Sequence, residues 1–406
     1  MLLCLCTIPG FAQKKLVGGD ISLLPEYESA TYKDNSGNVV KPLELFKSEG
    51  LNAMRVRIFV NPDQYTGSDK DANACQDLEY VKKLGKQIKD AGFKLMLDFH
   101  YSDTWADPAK QWTPEAWKSL SDDELYTKIY DYTKEVLQAM KDTGAEPDLI
   151  QTGNEISYGM LWGAYGASSS SLKKVYTSST ANWTYFISLL KNAGKACREV
   201  CPNAKIIIQS ERVPNTTVLK DFYSKVDSYI GNDYDVIGLS YYPYFHGKFP
   251  QLEAALSAVE SVSSKEIMIV ETGYPYAWAV PGTTTDYSST YAYSEEGQRK
   301  FTADLVEALN KHEQVTGLFW WWMEYNAYNA GLSGWYNAPL FDSRNGKALS
   351  ALSELKNFLG NESAIESITA DDKDTDPYWY KIDGTRVTDH TRPGLYIHAK
   401  KVIKKY

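Results

Sequence analysis

The sequence predicts a (β/α)8 barrel with a small C-terminal β appendage, and three observations predict it. Strand-like apolar runs alternate with amphipathic stretches from residue 16 to residue 359, the pattern of repeated βα units around a parallel sheet. Eight such units fit along the chain, whose 406 residues exceed the ~250 that a closed barrel needs. No GxGxxG follows the first strand and no GxxxxGKS/T occurs, so a doubly wound nucleotide-binding sheet lacks its phosphate loop.

The strands are expected at 16–19, 53–59, 95–99, 149–153, 205–209, 236–240, 267–271 and 317–321. Between them, 77–92 repeats Leu78, Val81, Leu84, Ile88 and Ala91 at helical spacing, and Gly92 ends the run. A second helix, 122–144, places Leu125, Ile129, Tyr132, Val136 and Met140 on one face, and the last barrel helix is expected at 346–359. Composition then shifts. Residues 361–377 are polar and acidic and read as a linker, which assigns the barrel to 13–360 and the appendage to 378–406. Within the appendage, 379–387 and 394–406 read as two strands around a turn, and the lysines at 400, 401, 404 and 405 as a solvated strand face.

Composition is that of an ordinary globular protein, and a net charge of −9 argues against a nucleic-acid partner, which would require a basic face. Residues 1–12 form an apolar run with small residues at Gly10 and Ala12, as in a signal peptide cleaved after Ala12; no basic residue precedes it, as in a truncated leader. The run is too short to span a bilayer. Export to the periplasm, cell surface or medium is therefore expected, with lipidation at Cys4 or Cys6 as the alternative although the small residues wanted before such a cysteine are absent. Cys75, Cys197 and Cys201 remain, an odd number that builds no disulfide framework; a local Cys197–Cys201 bridge and free thiols both stay open, and neither spacing suits zinc.

Two strand runs end in glutamate, LIQTGNE at 149–155 and IMIVE at 267–271. Paired carboxyl groups cleave glycosidic bonds, one giving a proton and one attacking carbon, so Glu155 and Glu271 are the candidate catalytic pair. A glutamate at a strand end is otherwise only a solvated edge; two of them on one barrel, one preceded by Asn154, form the stronger pattern. The remaining strand ends offer Arg55 and Arg57, Asp98 and His100, Tyr241 and Tyr242, and Trp320 and Trp321. Alternation puts both arginines on one face, Arg57 nearer the mouth. Trp105, Trp162 and Trp321 lie next to the mouths, where aromatic faces could pack on sugar rings. The long segments 158–181 and 274–294 read as cleft walls or lids.

The segments NAMRVRIFVNP (52–62), LDFHYSDTWADPAKQ (97–111), QTGNEISYGMLW (151–162), IGLSYYPYFHG (237–247) and IVETGYPY (269–276) resemble the endo-β-1,4-galactanases of glycoside hydrolase family 53, over about residues 16 to 359. The resemblance implies a retaining endo-hydrolase of β-1,4-galactan, with Glu155 as acid/base, Glu271 as nucleophile, and Arg57, His100, Asn154, Tyr242 and Trp321 around the reacting sugar. It implies no cofactor, and a monomer acting on a neutral polysaccharide. Members of that family carry Tyr-Trp-Glu-Pro after the eighth strand, where this chain has Trp320-Trp321-Trp322-Met323. Its seventh loop lacks the Asp/Gly-rich run that binds calcium in some bacterial members, so no metal is expected there. The alternatives are another endo-glycanase of the same clan, acting on mannan, xylan or glucan, and a non-catalytic glycan-binding barrel.

Overall fold

The computed structural model describes residues 15–177, 179–326 and 338–362, together with four short strands between 379 and 405. Eight parallel strands close into a barrel in chain order: β1 (Leu16–Asp20), β2 (Ala53–Ile58), β3 (Lys94–Phe99), β4 (Leu149–Thr152), β5 (Lys205–Ser210), β6 (Val236–Tyr241), β7 (Glu266–Thr272) and β8 (Val315–Trp320), with β8 pairing back onto β1. This is the TIM-barrel architecture, and each strand lies within two residues of its expected position.

The helices are α1 (Pro42–Ser48), α2 (Leu78–Asp90), α3 (Asp122–Asp142), α4 (Ala181–Val200), α5 (Thr216–Ile230), α6 (Pro243–His246), α7 (Phe249–Glu260), α8 (Glu295–Leu309) and α9 (Ala351–Glu354). Their starts are written locally. Asp77 accepts the Tyr80 N–H ahead of α2, Ser121 and Glu124 form a reciprocal capping box at α3, and Ser294 accepts the Gly297 N–H at α8. The last helix departs from expectation. Residues 342–348 are taken up by a turn around Asp342 and a bridge between Phe341 and Ala348, so helix begins only at Ala351 and passes into a 3-10 segment, Leu355–Glu362.

Strand alternation builds the interior in two storeys. Ala53, Met96, Leu149, Ile207, Val236, Met268, Val270 and Phe319 fill the lower barrel with apolar atoms. Two or four residues further on, the same inward phase carries Arg55, Asp98, Gln151, Gln209, Ser240 and Trp321, all of them buried. On β7 the alternation is broken. Leu239 pairs with Ile269 but Ser240 pairs with Glu271, so Val270 is the extra residue of a β-bulge. Val270 and Glu271 therefore both reach the interior in succession, one in the apolar storey and one in the polar storey.

Below the barrel mouth His312 is clamped between two glutamates of α7, Nδ1 2.8 Å from Glu260 and Nε2 2.7 Å from Glu253. Burial opposes its charge, but the bonds to Glu253 and Glu260 prevail and raise its pKa above the ordinary histidine value. A raised folded pKa means stability that is complete below about pH 6.5 and lost as pH rises through the folded value. His312→Gln is expected to lower Tm at pH 6 by an amount equivalent to about 0.5–1 kcal/mol, and by clearly less at pH 9. Equal losses at both pH values in thermal scans would contradict a charged clamp.

Residues 359–406 form a separate unit that contains a four-stranded antiparallel sheet, ordered β10-β9-β11-β12, from β9 (Trp379–Lys381), β10 (Arg386–Val387), β11 (Gly394–His398) and β12 (Lys401–Lys405). Each expected strand is thus an antiparallel pair, β9 with β10 and β11 with β12. The proposed leader and most of the proposed linker lie outside the described residues. Cys75, Cys197 and Cys201 are free thiols.

Candidate active site

Arg55 organises the polar storey. Its guanidinium is fully buried and meets Asp20 at 2.9 Å, Asp98 at 2.7 Å and Glu271 at 2.8 Å, and it donates to Asn154 Oδ1 at 3.1 Å. Burial disfavours its charge, yet Asp98, Glu271 and Asp20 together hold its proton more tightly than usual. Burial likewise acts to raise the pKa of Asp98, but Arg55 and His100 bring it below the ordinary aspartate value. His100 Nδ1 accepts the Ala106 N–H, which leaves the ring proton on Nε2, 3.2 Å from Asp98.

Three donors converge on the Glu271 carboxylate. Arg55 and Gln209 give to Oε1, at 2.8 and 3.1 Å, and the Tyr242 hydroxyl gives to Oε2 at 2.9 Å. Glu155 is held differently. It stands on a turn with φ +49°, two residues after Gly153 at φ +107°, where an added Cβ would press to 2.7 Å from Ile156. Burial above all, and then the negative charges of Glu271 and Glu211, push its proton affinity well above that of an ordinary glutamate, against a hydrogen bond from Ser240. The two carboxyls thus stand in different surroundings, one ringed by donors and one held against ionisation.

Both open into one cavity of about 690 Å³, a size that suits several sugar-sized groups. Of the residues expected from sequence, Trp105, Asn154, Tyr242 and Trp321 line it with Glu155 and Glu271. Trp105 and Trp321 meet with ring centroids 6.0 Å apart. Trp320 turns away, its indole N–H given to Ala338 O, while Trp322, its backbone at φ +51°, also reaches the cavity.

Three expectations need correction. Arg57 is fully buried behind the tryptophans, paired with Asp20 at 2.7 Å and stacked 4.7 and 4.8 Å from the Trp105 and Trp321 rings; the arginine on Glu271 is Arg55. His100 is enclosed beneath Trp105 and holds Asp98 rather than facing the cavity. Trp162 has no exposed face: its N–H is given to Tyr158 O and Lys174 covers its ring at 3.9 Å. Its backbone is tied to Gln111 and Lys173, so the loop after β4 folds inward over it.

Sequence reasoning passed over Gln209, Ser240 and Glu211. Gln209 and Ser240 lie on the inward phase of β5 and β6 and Glu211 follows β5 directly, and the signal was polar side chains in positions where a filled barrel carries aliphatic ones. Glu211 lines the cavity, accepts from Ser157 Oγ at 2.6 Å and pairs with Arg212 at 3.0 Å. Among the described residues no group of three or more His, Cys, Asp or Glu is placed to hold a metal ion.

Comparison with known proteins gives a consistent result. Residues 16–355 match the profile of Glycosyl hydrolase family 53. The chain is 33% identical to the arabinogalactan endo-beta-1,4-galactanase of Cellvibrio japonicus, over 82% of this chain and 89% of that one. It is 30% identical to the arabinogalactan endo-beta-1,4-galactanase of Thermothelomyces thermophilus, over 82% and 95%. Among solved structures it resembles the Ignisphaera aggregans GH53 catalytic domain, with a TM-score of 0.72 and 31% identity over 86% of this chain and 97% of that one.

Proposed function

The chain belongs to glycosyl hydrolase family 53, and from that premise we propose that it cleaves β-1,4-galactosidic bonds within galactan chains, by double displacement with retention. It is a glycoside hydrolase of the endo-β-1,4-galactanase kind. The observation that carries the mechanistic reading is the contrast between the two carboxyls of one cavity, Glu271 surrounded by donors and Glu155 held against ionisation.

In the first step Glu271 attacks the anomeric carbon, the C1–O4 bond breaks, and Glu155 gives its proton to the departing oxygen. Arg55 and Gln209 occupy Oε1, so Oε2, which accepts only the Tyr242 hydroxyl among these three donors, is the attacking oxygen. In the second step Glu155, now a carboxylate, takes a proton from water as that water attacks the galactosyl ester and frees Glu271. Asn154 is oriented from both ends, by Arg55 at Oδ1 and by Ala106 O at Nδ2, and its remaining N–H can serve the hydroxyl beside the reacting carbon. Trp105, Trp321 and Trp322 supply the faces on which successive sugars stack. The cavity extends from Asp71 and Lys110 on the second and third loops to Val280 on the seventh, an open run that suits an internal cut in a long chain.

The test is direct. Purified protein is incubated with galactan, arabinogalactan, mannan and xylan, with product sizes and the first-formed anomer followed by chromatography and NMR. Mixed β-configured galacto-oligosaccharides are expected; galactose alone from the outset, α-configured first products, or preference for mannan or xylan would each overturn part of the reading.

The raised pKa of Glu155 sets a pH limb. The acid form persists above the usual carboxyl range, so activity should hold at low to middle pH and fall as pH rises through that pKa. Glu155→Gln should lose the basic limb together with about 10²–10⁴-fold of the rate on galactan, and much less on substrates whose leaving group needs no proton. Unchanged turnover of galactan would remove Glu155 from the acid role. We further propose export through the leader at 1–12 and action as a monomer. No helix among the described residues is long and apolar enough to cross a membrane.

A further inference from the structure

Gln209, on the inward face of β5, touches both carboxyl-bearing segments at once. Its amide Nε2 donates to Glu271 Oε1 at 3.1 Å and to Ser240 Oγ at 2.9 Å. Its amide Oε1 accepts the Glu155 N–H at 3.0 Å and a Gln151 N–H at 2.6 Å. The main-chain carbonyl of the same residue accepts the Ile156 N–H at 3.2 Å. The orientation of this amide is dictated by its partners, since a carboxylate oxygen can only accept and a backbone N–H can only donate.

The segment it holds is a costly one. Glu155 has φ +49°, a conformation that residues with a Cβ adopt rarely and keep only when their surroundings impose it. Gln209 supplies partners for two successive N–H groups of that turn, its side chain for Glu155 and its main-chain carbonyl for Ile156, and the residue is fully buried, with no solvent to replace it. An amide is a rigid plane. Its two ends therefore fix the offset between the backbone of Glu155 and the carboxylate of Glu271, a distance that double displacement cannot let drift.

We propose that Gln209 is the positioning residue that sets the acid/base and the nucleophile relative to each other, a role that rests on the assignment of Glu155 and Glu271 above. It meets no substrate, because it lies under the cavity rather than on its wall. Its loss should thus be felt in kcat and hardly in KM.

Two replacements separate this role from plain packing. Gln209→Met keeps the bulk and removes both ends of the amide; kcat on galactan is expected to fall about 10²-fold, the scale of a 1 Å misplacement, with KM changed less than about threefold. Gln209→Glu keeps an acceptor for the Glu155 N–H but, when ionised, offers Glu271 a charge instead of a donor. When protonated it can donate again. Its activity should therefore recover as pH falls, moving the optimum at least about one pH unit to the acid side. Q209E also covers the case in which Q209M fails to fold, since it is nearly isosteric with the native residue.

Wild-type kcat in Q209M, a loss confined to KM, or a Q209E profile that keeps the wild-type optimum would each overturn the proposal. The underlying reading fails in a different way: wild-type protein inactive on galactan, or Glu155→Gln and Glu271→Gln variants that remain fully active.

Discussion

Glu271→Gln is expected to lower kcat on galactan by about 10⁴-fold or more, the scale seen when an enzyme loses the group that makes its covalent bond. The substitution keeps the shape, but it removes the attacking charge and leaves one acceptor oxygen where Arg55, Gln209 and Tyr242 now share two. Loss of rate alone would not identify a nucleophile. Small anions give the sharper test. In Glu271→Gly, azide can enter the vacated space and attack carbon directly, and with an activated aryl galactoside the product is the α-azide, formed in a single displacement. In Glu155→Gly the galactosyl ester still forms from such a substrate, and azide opens it to the β-azide. The roles are reversed if the anomers are, and neither role stands if azide rescues neither variant.

Arg55→Met should be the most damaging single change to the fold among the polar interior residues. One guanidinium meets Asp20, Asp98 and Glu271, and all three are buried. Removing it leaves Asp20 with Arg57, Asp98 with His100 and Gln151, and Glu271 with Gln209 and Tyr242, three buried carboxylates short of a shared countercharge, a class of change that costs about 3–5 kcal/mol. For a barrel of this size that corresponds to a fall in Tm of roughly 4–7 °C. Arg55→Lys should recover little, because a single ammonium cannot reach three carboxylates with the geometry of a fork. Adding Asp98→Asn to Arg55→Met should return part of the loss, since one of the stranded charges is gone; strictly additive losses in that double-mutant cycle would show that the two residues are not coupled.

The barrel was legible because its signal is repeated. Each strand carries an apolar run and each helix a period near four, so errors at single positions do not change the count. The site was legible in part, for a related reason. Glu155, Glu271 and Tyr242 sit at strand ends, where direction follows from the strand itself. Between Arg55 and Arg57 alternation gives the face but not the storey; that choice depends on how high Glu271 stands on the opposite side, which no local pattern encodes. Trp162 misled because proximity in sequence to a strand mouth says nothing about a loop that folds back through hydrogen bonds to Gln111 and Lys173. The last helix began late because the turn around Asp342 competes for the same residues.

The extra residue on β7 sets its register apart from that of a regular strand. In the observed one Ser240 stands beside Glu271. In the regular one, with no residue looped out, Ser240 would stand beside Val270, and the glutamate would turn outward toward the helices. The observed register keeps ladder pairing above the bulge, where Thr272 meets Tyr241 and Trp320, and adds to it the bonds that Arg55, Gln209 and Tyr242 make to one carboxylate. The proposed nucleophile is then also a latch. A branched apolar residue at position 271 would remove the latch as well as the charge, letting the strand slide shut into the regular pairing, so chemistry and strand register at this edge of the barrel are selected together.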